Sequence, residues 1–277
     1  MTPEQKLQKR IYATYFWVRR GMLLVAIVFP VVLLGIGWWH HIQLQGSMSA
    51  YYFAFDPPNS DLRVFPGRVV FVGSLFVIGV LLMLYEGFSN TENWALNVAG
   101  LSALAAALWP MQAPPYCLNC GSSTFSYVHE GAGIVFFILM AFVAWDCIDE
   151  TLVQLPARER QRFRFGYFAL AILLILAPAT VIFMAYKVGR SDSRLFYAEW
   201  IAMWTFAAYW GLKSYELSRS NLEEAALKGQ MPIRQLPAKP SLRQRASRMA
   251  DQMSAKGRRG RVAEHSIQNL PTQVRTF

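Results

Sequence analysis

The chain predicts an all-α fold, a polytopic membrane helical bundle of six transmembrane helices with both termini on the cytoplasmic side (N-in/C-in). Three observations predict it. Long apolar runs recur along the 277 residues, 54% of which are hydrophobic. Only 16% are charged, against about a quarter in ordinary soluble domains. The basic residues gather in alternate connections between the runs, as the positive-inside rule requires. The mean hydropathy is +0.25.

Taken in order, the expected spans are residues 21–39, 69–86, 94–111, 129–147, 165–186 and 198–213. The first is 19 residues without a charge and the fifth is 22, and uncharged runs above about 18 mark membrane helices rather than buried core helices. Trp38 and Trp39 close the first span, where indole rings suit the headgroup zone. That run exceeds the roughly 7–15 residues of a signal-peptide core and no small-residue cleavage pattern follows it, so it reads as a retained anchor. The sixth span is the shortest, with 13 uncharged residues from 200 to 212. It must draw in Glu199 at one end or Lys213 at the other. Lys213 can snorkel along its stem, whereas Glu199 has less reach and must face protein or a wet cavity.

Helices are expected rather than barrel strands. The runs are continuous instead of alternating, and a helix satisfies its own amides in hydrocarbon. Pro30 and Pro178 lie inside the first and fifth spans, each removing a backbone donor; ordinary packing and a gating hinge both accommodate such a kink. Small residues thin the second and third spans, Gly73 and Gly79 in one, Gly100, Ser102 and Ala103 in the other, which predicts a close packing seam. Asn93 and Asn97 are placed to bond across helices.

Charge sets the domain organisation and the orientation. Residues 1–20 form a basic, amphipathic cytoplasmic N-terminus containing Lys6, Lys9, Arg10, Arg19 and Arg20. Residues 21–213 are the six-helix transmembrane domain, with Arg158, Arg160, Arg162 and Arg164 in an inner loop. Residues 214–277 are a basic, largely disordered cytoplasmic tail. Counted from Lys213, this end holds 13 basic and 5 acidic residues, a net +8 of the chain's +10. Contact with anionic membrane lipid explains such a segment, and a membrane protein partner is the other reading. Nucleic acid is excluded, because there is neither aromatic interleaving nor a recognition motif. The expected location is the bacterial inner (plasma) membrane, multi-pass.

The outward loops collect the chemistry. Cys117 and Cys120 form one CxxC, readable as a structural disulfide, a thiol-exchange centre or a pair of metal thiolates. His40, His41 and His129 are the weak metal candidates. Zinc is the possible cofactor, with Glu130, Glu199, Asp56 or Asp61 to complete or support the site. No cofactor motif occurs. Neighbouring histidines cannot point the same way on a helix, so His40 and His41 both ligate only if that turn unwinds. His129, Glu130 and Glu199 bring ionisable groups to the outer leaflet, where such groups face a bundle interior or water. They are the candidate catalytic residues of a polar pocket, with Tyr51, Tyr52 and Ser49 as candidate substrate contacts above it. The competing reading is a structural network that holds the helices together. No local elbow or SxxK pattern supports a nucleophilic serine.

The layout of residues 15–215 resembles the six-span prokaryotic membrane proteins of unknown function that are themselves similar to the eukaryotic DRAM and Sfk group. The likeness rests on Ser47-Met48-Ser49-Ala50-Tyr51-Tyr52, Arg68-Val69-Val70-Phe71-Val72-Gly73, Tyr85-Glu86-Gly87, Asn97-Val98-Ala99-Gly100 and His129. It implies a six-span membrane domain and no particular activity. A looser likeness to membrane hydrolases of the alkaline ceramidase and progestin-receptor superfamily implies a zinc site with two histidines in the last helix; the sixth span here has none.

The expectation is lipid handling, or a role as a subunit of a membrane complex. The alternative is a metal-assisted lipid hydrolase or transferase, and the third reading is a small-molecule transporter. Whether the chain is an enzyme stays open at this point.

Overall fold

The computed structural model describes residues 3–54, 65–111, 126–146, 149–152, 155–188 and 193–220. The chain divides into two units, Met1–Gln230 and Met231–Phe277, and all described residues lie in the first. Residues 221–277, most of the expected tail, lie outside the described residues, as do Asp56, Asp61, Cys117 and Cys120.

The elements are α1 (Pro3–Trp39), a 3-10 turn (Ser49–Tyr52), α2 (Pro66–Leu84), α3 (Asn90–Leu108), α4 (Ser126–Asp146), the single turn α5 (Asp149–Leu152), α6 (Ala157–Val188) and α7 (Arg194–Ser220). The six long helices correspond to the six expected apolar segments. α1 differs most from expectation. It starts eighteen residues earlier, because nothing after Pro3 breaks the helix and Lys, Gln, Ala and Arg favour it. At 1.5 Å per residue its 37 residues span about 55 Å, well beyond a hydrocarbon core of roughly 30 Å.

The helix ends are chemically explicit. α1 ends at Trp39, and the chain leaves it through His41, whose φ of 54° places it in the left-handed region. Its N–H bonds Trp38 O at 3.3 Å, and Ile42 N–H bonds Gly37 O at 2.8 Å. This pair of bonds satisfies carbonyls that a helix C-terminus leaves open. α2 begins with Pro66, which loses nothing at a position whose N–H has no helical partner. At α3, Ser89 Oγ accepts from Glu92 N–H at 3.2 Å and Glu92 Oε2 accepts from Phe88 N–H at 2.8 Å. Asn93 joins the same turn, bonding Gly87 N–H and, at 2.8 Å, Glu86 Oε2. It therefore secures a connection rather than crossing between helices, and Asn97 is exposed.

The helices close a ring in the order α1, α2, α3, α4, α6, α7 and back to α1. Aromatic rings fill its middle: Phe29 against Phe71, Phe136 against Phe206, Tyr85 against Trp210 and Tyr167 against Tyr209, with centroids 5.1–5.9 Å apart. The expected seam lies between α2 and α3. A Cβ on Gly100 would stand 2.6 Å from Gly79 O, and one on Gly79 would stand 2.8 Å from Gly100 O. Gly73 takes no part and faces outward into open space.

Among the described residues four helices, α1, α2, α4 and α6, are long and apolar enough to cross a membrane. The chain is thus an all-α, multi-pass membrane bundle. α3 and α7 are less apolar, because α3 opens with Asn90, Thr91, Glu92 and Asn93, and α7 carries Glu199, Lys213 and Glu216. Many of their residues turn into the ring.

Candidate functional site

One end of the ring, the Tyr51 end, is closed by a short cap. Its residues Ser47, Met48, Ala50, Tyr51, Phe53 and Ala54 are buried. Tyr51 is the wedge. A Cβ on Gly37 of α1 would meet its hydroxyl at 3.1 Å, and one on Gly67 of α2 would meet its carbonyl oxygen at 2.7 Å. The Gly67 approach, which is to backbone, requires glycine, and a Cβ on Gly37 would press tightly on the phenol. The Tyr51 ring also packs 5.8 Å from Phe196 of α7. Burial raises its phenol above the usual range, and a hydrogen bond with the Gln45 backbone opposes that rise.

The other expected contacts are bound up in the same cap. Ser47 and Ser49 share a hydrogen bond of 3.0 Å, and Ser49 Oγ lies 3.0 Å from Met111 Sδ beyond the end of α3. Tyr52 is gripped by Arg68, whose guanidinium lies 4.3 Å from its ring and 4.1 Å from that of Phe65, while Arg68 Nε donates to Tyr52 O at 2.9 Å. Glu199 reaches from α7 and accepts the backbone N–H of Met48 at 2.7 Å and that of Ser49. Its carboxylate therefore performs the office of a helix N-cap for a one-turn helix 150 residues away in sequence.

His129 does the opposite task for α3. Its Nδ1 lies 2.8 Å from Ala106 O and 3.0 Å from Trp109 O, two carbonyls at the end of that helix. Carbonyls only accept, so Nδ1 must carry the hydrogen, which leaves the lone pair of a neutral ring on Nε2. His129 also packs 6.0 Å from Phe71. Glu130, next to it, is half-buried.

Helical register brings His129 and Glu199 to one level. Phe136 of α4 and Phe206 of α7 touch at 5.3 Å. His129 precedes the first by seven residues and Glu199 precedes the second by seven. Two turns of helix, about 10 Å, therefore carry both to inward faces at the same height. Gly133, one turn after His129 on that face, leaves open space where a Cβ would stand. His129 and Glu199 thus come to one end, under the cap, and the hydrogen bonds of each also support the fold.

The metal candidates do not converge. His40 follows the end of α1, His41 takes the left-handed position after it, and His129 caps α3. Among the described residues no three His, Cys, Asp or Glu side chains group as they would to hold an ion. The donor set within the described residues does not fit zinc.

The opposite end of the ring, the Glu216 end, holds a polar cluster that sequence reasoning missed. Arg19, Glu92, Thr151, Tyr167, Lys213 and Glu216 are all buried there, Lys213 at 1% exposure and Glu216 at 0%. Lys213 Nζ donates to Thr151 Oγ1 at 2.9 Å and lies 3.6 Å from Glu216 Oε2. Tyr167 donates to the same Glu216 oxygen at 2.5 Å. Lys213 also stands over the rings of Phe88 and Tyr167. It therefore turns inward instead of snorkelling outward, and Arg19 is interior rather than a surface charge. Arg160 closes α5, donating to Leu152 O and Leu155 O at 3.1 Å each. A signal was available: Tyr209, Lys213 and Glu216 recur at i, i+4 and i+7, a polar stripe on one face of α7.

No protein-family model matches the chain, and no curated protein and no solved structure matches it. Nothing ties the bundle to the DRAM and Sfk group.

Proposed function

We propose that this chain is a bacterial inner-membrane protein with six crossings and both termini in the cytoplasm, and that it handles an amphipathic lipid at its Tyr51 end without turning it over. The observation that carries the reading is the pairing of His129 and Glu199 on inward faces at one height, with open space beside Gly133 and an apolar cap above. A polar group at headgroup depth and an apolar interior below it match an amphipathic ligand. The basic tail and the inner-loop arginines support the orientation and a contact with anionic lipid.

The test is native mass spectrometry of the full chain extracted with its lipids. Stoichiometric retained lipid, lost in His129→Ala and Glu199→Gln at normal abundance and folding, is expected. Wild-type protein that retains none overturns the reading. Co-purification of one protein at fixed ratio would favour a complex subunit, and solute uptake into proteoliposomes a transporter. Sidedness is checked with Tyr127→Cys, an exposed position at the Tyr51 end, in a chain whose native cysteines are serine. Labelling by an impermeant maleimide from outside the cell is the expected result.

A metal-assisted lipid hydrolase or transferase is the second reading. The His129 tautomer favours it, since a carbonyl-bound Nδ1–H is how a ligating histidine is commonly oriented. It needs further ligands from outside the described residues. Stoichiometric zinc in purified protein would support it, and metal-free protein with full function would remove it.

A further inference from the structure

Arg68 is the third residue of α2, and residues 69–84 that follow it carry no charge. α2 has the length and apolarity of a membrane span, so Arg68 stands where that apolar run meets the headgroup layer at the Tyr51 end. The side chain is half-buried and fixed in place. Its guanidinium lies 4.3 Å from the Tyr52 ring and 4.1 Å from that of Phe65, and Nε donates to Tyr52 O at 2.9 Å. These contacts use one of its three nitrogens. Among the described residues no acceptor stands at Nη1 or Nη2, and no carboxylate pairs with the group. The first turn of α2 holds no acidic residue either, so the cation adds to the positive end of the helix dipole instead of offsetting it.

We propose that Arg68 binds the phosphodiester of a phospholipid through its two terminal nitrogens. The inference rests on the lipid-handling reading and names the ligand's headgroup chemistry and the residue that selects it. A phosphodiester presents two unesterified oxygens, which match the paired terminal nitrogens of a guanidinium. The place of Arg68 ties it to the Tyr51 end. Phe71, one turn further along the same side of α2, is buried and packs 6.0 Å from His129. Arg68 therefore lies about 4.5 Å of helix rise nearer the membrane surface than that contact. Gly79 meets Gly100 across the α2–α3 seam, and eleven residues on in each antiparallel helix bring Arg68 level with Met111. Met111 follows the end of α3 that His129 caps and receives the Ser49 hydroxyl. A phosphate on Arg68 thus sets the ester groups of the same lipid one turn deeper, at the height of His129. Lys187, at the same end on α6, differs in kind. It is exposed and lies only over Phe183 and Tyr186 of its own helix.

The test is native mass spectrometry of the full chain offered dioleoylphosphatidylglycerol, dioleoylphosphatidylcholine or dioleoylglycerol. The three share their acyl chains, and only the last lacks the phosphate. Wild-type protein is expected to retain both phospholipids several-fold over dioleoylglycerol. Arg68→Gln should bring all three to one level. Phe65→Leu removes one ring but keeps the Nε bond to Tyr52, and it should narrow the preference; it carries the test should Arg68→Gln fold poorly. Lys187→Gln, the matched control, should leave the preference intact. A preference untouched in the variants that fold, or one lost equally in Lys187→Gln, overturns the role of Arg68. Complete displacement of both phospholipids by inorganic phosphate would reassign Arg68 to the free ion and overturn the lipid assignment. Equal retention of all three lipids by wild-type protein overturns the phosphate site alone; retention of none overturns the lipid-handling reading beneath it.

Discussion

Glu199 of α7 accepts the backbone N–H of Met48 at 2.7 Å, a bond that joins the last helix to the cap behind the first. The Ser49 N–H shares the same carboxylate. Loss of the acceptor strands two cap donors, whereas an amide oxygen can still accept. Glu199→Ala should therefore destabilise the protein by about 1–3 kcal/mol and Glu199→Gln by clearly less. Thermal unfolding in detergent distinguishes them; equal losses would show that the cap does not depend on this acceptor.

The α2–α3 crossing rests on Gly79 and Gly100, whose added Cβ atoms would each stand under 3 Å from the other's carbonyl oxygen. The obstacle is backbone, which cannot rotate aside. Gly100→Ala should cost about 1–3 kcal/mol through overpacking. Gly35→Ala and Gly73→Ala, where nothing lies within 4 Å, should change stability by only the small helix-propensity difference, in the favourable direction. Matched unfolding curves for all three variants check the contrast.

The Lys213–Glu216 pair is fully buried, so its removal is expected to be strongly non-additive. Lys213→Met alone, or Glu216→Leu alone, leaves an uncompensated interior charge and should cost about 3–5 kcal/mol. The double variant should recover most of that loss, since apolar replacement of a buried ion pair is often neutral. A double-mutant cycle on unfolding free energy measures the coupling, and additive losses would rule out a direct partnership.

His41 occupies a left-handed backbone position that costs a side chain about 1–2 kcal/mol and glycine almost nothing. His41→Gly should raise the melting temperature and His41→Val should lower it. A His41→Gly protein that bound less metal than wild type would instead revive the ligand role.

Much of the architecture was legible in the sequence. The expected spans 69–86, 94–111 and 129–147 stand within a few residues of α2, α3 and α4, and the α2–α3 glycine seam lies where small residues cluster. The candidate site was legible in part. His129 and Glu199 do come to one level, but their hydrogen-bond partners, the end of α3 and the Ser47–Tyr52 cap, are distant in sequence.

By itself the sequence determined that this protein is helical and suited to lipid, because a long uncharged run in hydrocarbon can satisfy its amides only within itself. Only tertiary structure decided which way the exceptions face. Arg19 and Lys213 count as topology signals in a charge tally, yet both turn into the ring, where Thr151, Glu216 and aromatic rings receive Lys213. Hydropathy sums over all sides of a helix, whereas burial depends on the neighbour at each side, and those neighbours lie far away in sequence, as where Trp204 bonds the Ile27 carbonyl across 177 residues.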